Sequence, residues 1–264
     1  MRSPFFKRGR IWLLRLLLLA AILGVWQVAA GRSAMTRFFF GSPYEVGATI
    51  VQWAVSGTIY RHLAITLTET VLAFSIGTAL ALVIGLWLAL DALWSGVLDP
   101  FIKGVNTMPR LILAPIFSVW FGLGIWSKVA LGVTIVFFIV FFNVYQGIKE
   151  VSPILLANVR MLGASRAQLI HRVYIPSAMS WVFSSLHLSV GMAFVGAVIG
   201  EYLGSAAGVG YLILQAESTF EINTVIAGIV VLTACALVLD AMVTMVETAL
   251  IGRSRPRAAE ARAT

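Results

Sequence analysis

A chain of 264 residues that is 60% hydrophobic and 11% charged, with mean hydropathy +0.95, has too few polar groups to cover a soluble domain of that size. The net charge of +8 does not point to nucleic acid, because Lys and Arg gather at the ends of apolar runs and form no aromatic-laced patch. The single cysteine, Cys235, excludes an internal disulfide.

The pattern reads as an all-α polytopic membrane protein: one transmembrane domain over residues 1–264 with six spans. Arg2, Lys7, Arg8 and Arg10 precede an apolar run, residues 11–30, long enough to cross a hydrocarbon core. We read it as the first span, although Arg15 and the small residues Val28, Ala29 and Ala30 also fit a cleaved signal peptide. Residues 31–61 form a less hydrophobic outer connector, with a turn at Ser42-Pro43 and a short amphipathic helix carrying Val46, Ile50 and Trp53. Residues 62–90 make the second span, where Gly77 and Gly85 serve helix packing.

An inner turn over residues 91–100 leads to a third span, residues 100–121, interrupted by Pro109 and Pro115. Two prolines leave carbonyls unpaired at membrane depth, which makes this a candidate pathway helix. The chain turns outside over residues 122–128, returns as a fourth span over 129–148, and rises again as a fifth over 177–200. An outer segment, residues 201–223, holds Gly204, Gly208 and Gly210 and a short helix from Tyr211; residues 224–251 are the sixth span.

Lys and Arg counts set the orientation. Arg2, Lys7, Arg8, Arg10, Lys149, Arg160, Arg166, Arg172, Arg253, Arg255, Arg257 and Arg262 fall on one side, against Arg32, Arg37, Arg61 and Lys128 on the other. The richer side is expected to be cytoplasmic, with both termini there.

The stretch from Leu155 to Pro176 is basic and of mixed polarity, unlike its neighbours. Leu155, Leu156, Val159 and Leu162 keep helical spacing, Gly163 permits a turn, and Ser165 with Gln168 gives a capping-box pattern; Pro176 is expected to end the segment. Composition and periodicity leave open whether this helical pair rests on lipid or docks into a partner.

No catalytic residues are expected. His62, His171 and His187 are scattered, metal-ligand spacing is absent, and neither Gly122-Leu123-Gly124 nor the Gly204–Gly210 cluster ends as a phosphate loop does. What remains are polar residues at membrane depth: Glu69, Asn106, Arg110, Asn143, Gln146, His187, Asp240 and Glu247. An ionisable group there costs about 3 kcal/mol, so such groups face protein or a water-filled path. Asn106 and Arg110, one turn apart and flanking Pro109, are expected to line a substrate path with Asn143, with Glu69 as counter-charge to Arg110. Several of these residues would equally serve as structural bonds between helices.

The residues Val159-Arg160-Met161-Leu162-Gly163-Ala164-Ser165, followed by Val173-Tyr174-Ile175-Pro176, resemble the cytoplasmic signature of ABC-importer permeases, written E-A-A-x3-G-x9-I-x-L-P. Met108-Pro109-Arg110, Trp120-Phe121-Gly122-Leu123-Gly124, Gly200-Glu201-Tyr202-Leu203-Gly204 and Gly208-Val209-Gly210-Tyr211-Leu212 are similar to the branch serving nitrate, sulfonate, taurine and related solutes. The leading E-A-A reads Ala157-Asn158-Val159 here, so its acidic contact is missing.

The resemblance implies a type I ABC-importer permease fold, working as a homodimer in the bacterial inner membrane. Each copy would rest on one cytoplasmic ABC ATPase, which binds the Mg-ATP; this chain would bind no cofactor, metal or nucleic acid of its own. A periplasmic or lipoprotein solute-binding protein would deliver a small anion, or a vitamin precursor or aromatic acid. The coupling helices would span 152–175, with Ala157, Asn158, Val159, Arg160, Leu162, Gly163, Ala164, Ser165, Ile175 and Pro176 making the ATPase contact.

Overall fold

The computed structural model describes residues 4–251. Arg2, Arg253, Arg255, Arg257 and Arg262 of the orientation count lie outside the described residues, as do the side chains of Lys7, Arg8 and Glu247. Among the described residues the secondary structure is helical, in the order α1 (Pro4–Ala30), α2 (Ala34–Phe40), α3 (Pro43–Ser56), α4 (Thr58–Leu90), α5 (Ala92–Asn106), α6 (Leu113–Phe121) and α7 (Ile125–Lys149). There follow α8 (Pro153–Met161), α9 (Arg166–Leu169), α10 (Ile175–Gly204), α11 (Val209–Ser218) and α12 (Ile222–Ile251). Among the described residues five helices, α1, α4, α7, α10 and α12, are long and apolar enough to cross a membrane.

The third expected span comes in two pieces. Asp91 does not lie in a turn but caps α5, its carboxylate accepting from the amides of Leu93 at 3.1 Å and Trp94 at 3.2 Å, and Pro100 is accommodated inside that helix. The break falls at Thr107-Met108-Pro109, after which a 3-10 turn, Arg110–Ile112, leads into α6. Pro109 has no amide hydrogen and forces Met108 out of helical conformation. Pro115 does not interrupt anything, because in the first turn of α6 its missing donor has no helical partner to lose. Pro176 likewise does not end the cytoplasmic-signature segment: a π-helical turn, Ile170–Tyr174, widens the backbone and runs on into α10, where Pro176 occupies the first turn.

The described residues pack as two units, one within Met1–Arg61 and Leu212–Leu232, the other within His62–Tyr211 and Thr233–Thr264. In the first, Ser33 and Ser42 cap α2 and α3, and the indole of Trp26 donates to the Phe40 carbonyl at 3.1 Å. Arg37 donates to Glu45, whose other oxygen accepts from Asn223 at 2.5 Å; Asn223 in turn accepts from the Ser42 amide at 2.8 Å. The Arg37 guanidinium holds the Glu45 carboxyl below the usual carboxylate range, with Asn223 and Ser42 adding to the effect.

In the second unit α7 is the central helix, packed along α10 with α4 against it. Ala73, Ala81, Val136, Val140, Phe141, Val144 and Ala193 are almost wholly buried, and the Phe137, Phe141 and Tyr145 rings stack at 5.5 and 5.8 Å. Small residues set this spacing. A Cβ at Gly132 would lie 2.6 Å from that of Ala73, so α4 and α7 approach only because glycine stands there.

Candidate functional site

α8 and α9 form a knob closed by two local devices. Leu162 ends α8, the Gly163 amide donates to the Arg160 carbonyl at 3.0 Å, and the Ala164 amide donates to the Val159 carbonyl at 3.3 Å. This is a Schellman turn, with Gly163 in the left-handed region at φ 79°. The Ser165 hydroxyl then accepts from the Gln168 amide at 3.3 Å while the Gln168 side chain accepts from the Ser165 amide at 2.8 Å, completing the capping box. Inside the knob, Leu156, Val159 and Ala164 pack on Val151, Leu169 and Val173.

That packing sorts the coupling residues named from sequence. Val159 and Ala164 face the knob's own core, Ile175 is half-buried, and Ala157, Asn158, Arg160, Leu162, Gly163, Ser165 and Pro176 are exposed. Met161, 80% exposed beside Leu162 at 86%, joins them at the apex. Sequence reasoning left Met161 out of the contact set; two large apolar residues directly before a turn glycine were the available signal. Arg160, Arg166, His171 and Arg172 of the same segment are exposed as well.

The intramembrane polar residues divide into separate groups. Arg110, in the 3-10 turn between α5 and α6, donates from Nη2 to the Asn106 side-chain oxygen at 2.5 Å and to its carbonyl at 3.4 Å. Its guanidinium carbon lies 5.0 Å from the centre of the Phe138 ring, near the midpoint of α7. Asn106 and Arg110 therefore meet as expected.

Glu69 does not join them. It is buried on α4 in hydrogen-bond reach of Glu201 and close to Lys128, both wholly buried as well. Its partners come from the start of α7 and the end of α10, a convergence that a linear sequence does not display. Asn143 donates to the Ile139 carbonyl of its own helix at 2.8 Å, and Gln146 reaches Glu150 at 2.9 Å on an exposed face. His187 on α10 pairs with Asp240 on α12 at 3.3 Å, beside an apolar hollow lined by Phe74, Phe183, Leu186 and Leu239 that offers a solute almost no polar contact.

The cluster around Glu201 was missed at the sequence level. Glu201 accepts from the Thr66 hydroxyl at 2.6 Å and from the Gly210 amide at 2.7 Å; Thr66 accepts from the Val209 amide at 3.1 Å, and His62 Nδ1 accepts from the Gly208 amide at 3.0 Å. Three successive donors at the start of α11 are thus satisfied by side chains of α4 and α10. Lys128 donates to the carbonyls of Leu123 at 2.6 Å and Gly124 at 3.0 Å, tying the turn before α7 to the same buried charges. Among the described residues no three His, Cys, Asp or Glu side chains converge as a metal site.

Residues 77–252 match the family model described as binding-protein-dependent transport system inner membrane component. The chain belongs to this family. It is a permease subunit of an ABC importer, a passage and not a catalyst. The putative aliphatic sulfonates transport permease protein SsuC of Bacillus subtilis is 32% identical over 91% of this chain and 87% of its own length. The formylaminopyrimidine transport permease protein ThiX of Halalkalibacterium halodurans is also 32% identical, over 80% of this chain and 84% of its own. A chain of the MetNI methionine ABC transporter, in an inward-facing conformation, superposes with TM-score 0.61 over 70% of this chain and 92% of that one at 16% identity, which establishes the type I importer permease fold. This permease accordingly works with a solute-binding protein and an ATP-hydrolysing subunit, and its long apolar helices make it a multi-pass membrane protein.

Proposed function

We propose that this permease forms, as a homodimer over two ABC ATPase subunits, the membrane path by which a small sulfonate-type anion enters the cytoplasm. The knob faces the cytoplasm together with both chain ends. Its apex, Met161, Leu162 and Gly163, enters a groove on the ATPase, while Ala157, Asn158, Arg160, Ser165 and Pro176 flank the contact. Val159, Ala164 and Ile175 hold the knob's shape from inside. The chain binds neither ATP nor a metal; the ATPase supplies the nucleotide site. A binding protein on the outer side delivers the solute.

The observation that carries this reading is the knob: a Schellman turn and a capping box fix two short helices so that large apolar side chains stand exposed at their tip. Exposed apolar apices of this kind fit a docking surface better than a solvated loop. The anionic substrate is supported by the aliphatic sulfonates relative and by Arg110 at membrane depth. Of the intramembrane residues, Asn106 and Arg110 remain the path candidates, with Glu69 and Asn143 in structural roles. The equal identity to ThiX favours a second reading, a formylated pyrimidine as cargo.

The test is uptake by proteoliposomes holding the permease, its ATPase and its binding protein. ATP-dependent accumulation of taurine or ethanesulfonate is expected, with none when the ATPase is omitted. Solute flux through the permease alone, without ATP, would refute the importer reading, and accumulation of formylaminopyrimidine instead would transfer the substrate assignment.

A further inference from the structure

Arg110 is permanently charged and lies in the broken third span, over the ring of a residue midway along α7. Among the described residues it takes part in no ion pair. Among the described residues its hydrogen bonds run from Nη2 to Asn106, and Nε is buried with no hydrogen-bond partner. Lys128, wholly buried where Arg110 is half-buried, is compensated differently: two backbone carbonyls accept from it and two carboxylates stand close by. A cation at membrane depth with one face on an aromatic ring, one nitrogen fixed by an amide oxygen and another donor idle lacks one partner, and that partner is negative.

We propose that Arg110 is an anion subsite within the path, its free N–H groups taking the oxyanion head of the transported solute while Asn106 and Phe138 hold the guanidinium in place. This rests on the permease reading and adds to it the group that recognises the charge. The chemistry suits a sulfonate, carboxylate or nitrate, whose planar or trigonal oxygens accept two parallel N–H bonds from a guanidinium. Lysine, a compact donor without the planar fork, would keep the charge and lose the paired geometry. The break at Thr107–Pro109 contributes as well, because it turns the chain so that Arg110 lies across from α7 and not further along the axis of α5. Asn106 is a positioning residue: its oxygen fixes the guanidinium and does not itself touch an anion.

The experiment uses the complete importer, permease with ATPase and binding protein, in proteoliposomes, with taurine, ethanesulfonate, nitrate and benzoate as probes that carry an oxyanion group and riboflavin and formylaminopyrimidine as uncharged probes. The variants are Arg110→Gln, Arg110→Lys and Asn106→Ala, each checked for assembly of the complex by size-exclusion chromatography. For whichever anion the wild type accumulates, KM is expected to rise at least tenfold in Arg110→Gln and by a smaller factor in Arg110→Lys and Asn106→Ala. Should Arg110→Gln not assemble, the ordering of the other two variants against wild type decides. An assembled Arg110→Gln or Arg110→Lys importer with unchanged KM would overturn the subsite and leave the permease reading standing. So would a wild type that carries only the uncharged probes. A wild type with no ATP-dependent uptake of any probe would remove the permease reading and the subsite with it.

Discussion

Gly208 shows how one residue joins three helices. Its φ of 111° lies where only glycine is at ease, and an added Cβ would fall on the Glu201 carboxyl. Gly57, at φ 79°, meets nothing within 4 Å. The same substitution therefore has different consequences at the two sites. Gly57→Ala should cost about 1 kcal/mol of backbone strain. Gly208→Ala adds a collision in a cluster where Glu201, Thr66 and His62 all accept from the start of α11, and should cost about 3 kcal/mol or more. Thermal unfolding of the two variants in nanodiscs measures the contrast; equal midpoints would show that the Glu201 cluster yields without cost.

At the scale of elements, the knob separates shape from contact. Gly163 has a left-handed backbone but open space around its missing Cβ, so a side chain there strains the turn without striking a neighbour. Met161 and Leu162 point into solvent and support no core. Gly163→Asp and Leu162→Glu are both expected to lower ATPase co-purification at least tenfold while the protein still inserts. Leu162→Glu should do so with an unchanged unfolding temperature, since the Leu156, Val159 and Leu169 packing beneath it is untouched. Full ATPase association by the Leu162→Glu variant would rule out an apolar apex as the contact. The element scale also explains why α8 and α9 could be read in advance: helix spacing, a turn glycine and a Ser-x-x-Gln cap are local codes, acting within five residues.

For the whole molecule, the orientation is the property that charge alone predicts. Cysteines placed at Leu162 and at Phe220, in a background where Cys235 is replaced by alanine, should react with a membrane-impermeant maleimide from opposite sides, Leu162 from the cytoplasm. Both positions are exposed, 86% and 75%, so lack of access is not a confounding factor. Labelling of both from one side would contradict the assigned topology.

The sequence by itself determined the membrane class, the positions of the long apolar helices, the glycine turn of the knob and its capping box. It did so because each depends on residue type and spacing within one or two helical turns, or on a hydrophobic length. It also indicated that Asn106 and Arg110 share a turn. Only the tertiary structure decided that Pro109 breaks the third span while Pro115 and Pro176 are absorbed, since the effect of a proline depends on whether its missing donor had a partner to lose. Only it moved Glu69 from Arg110 to Glu201 and Lys128, residues 132 and 59 positions further along the chain. Buried charges choose partners by proximity in three dimensions, where low polarity makes each pairing strong, and no periodicity along the chain records which helices will meet.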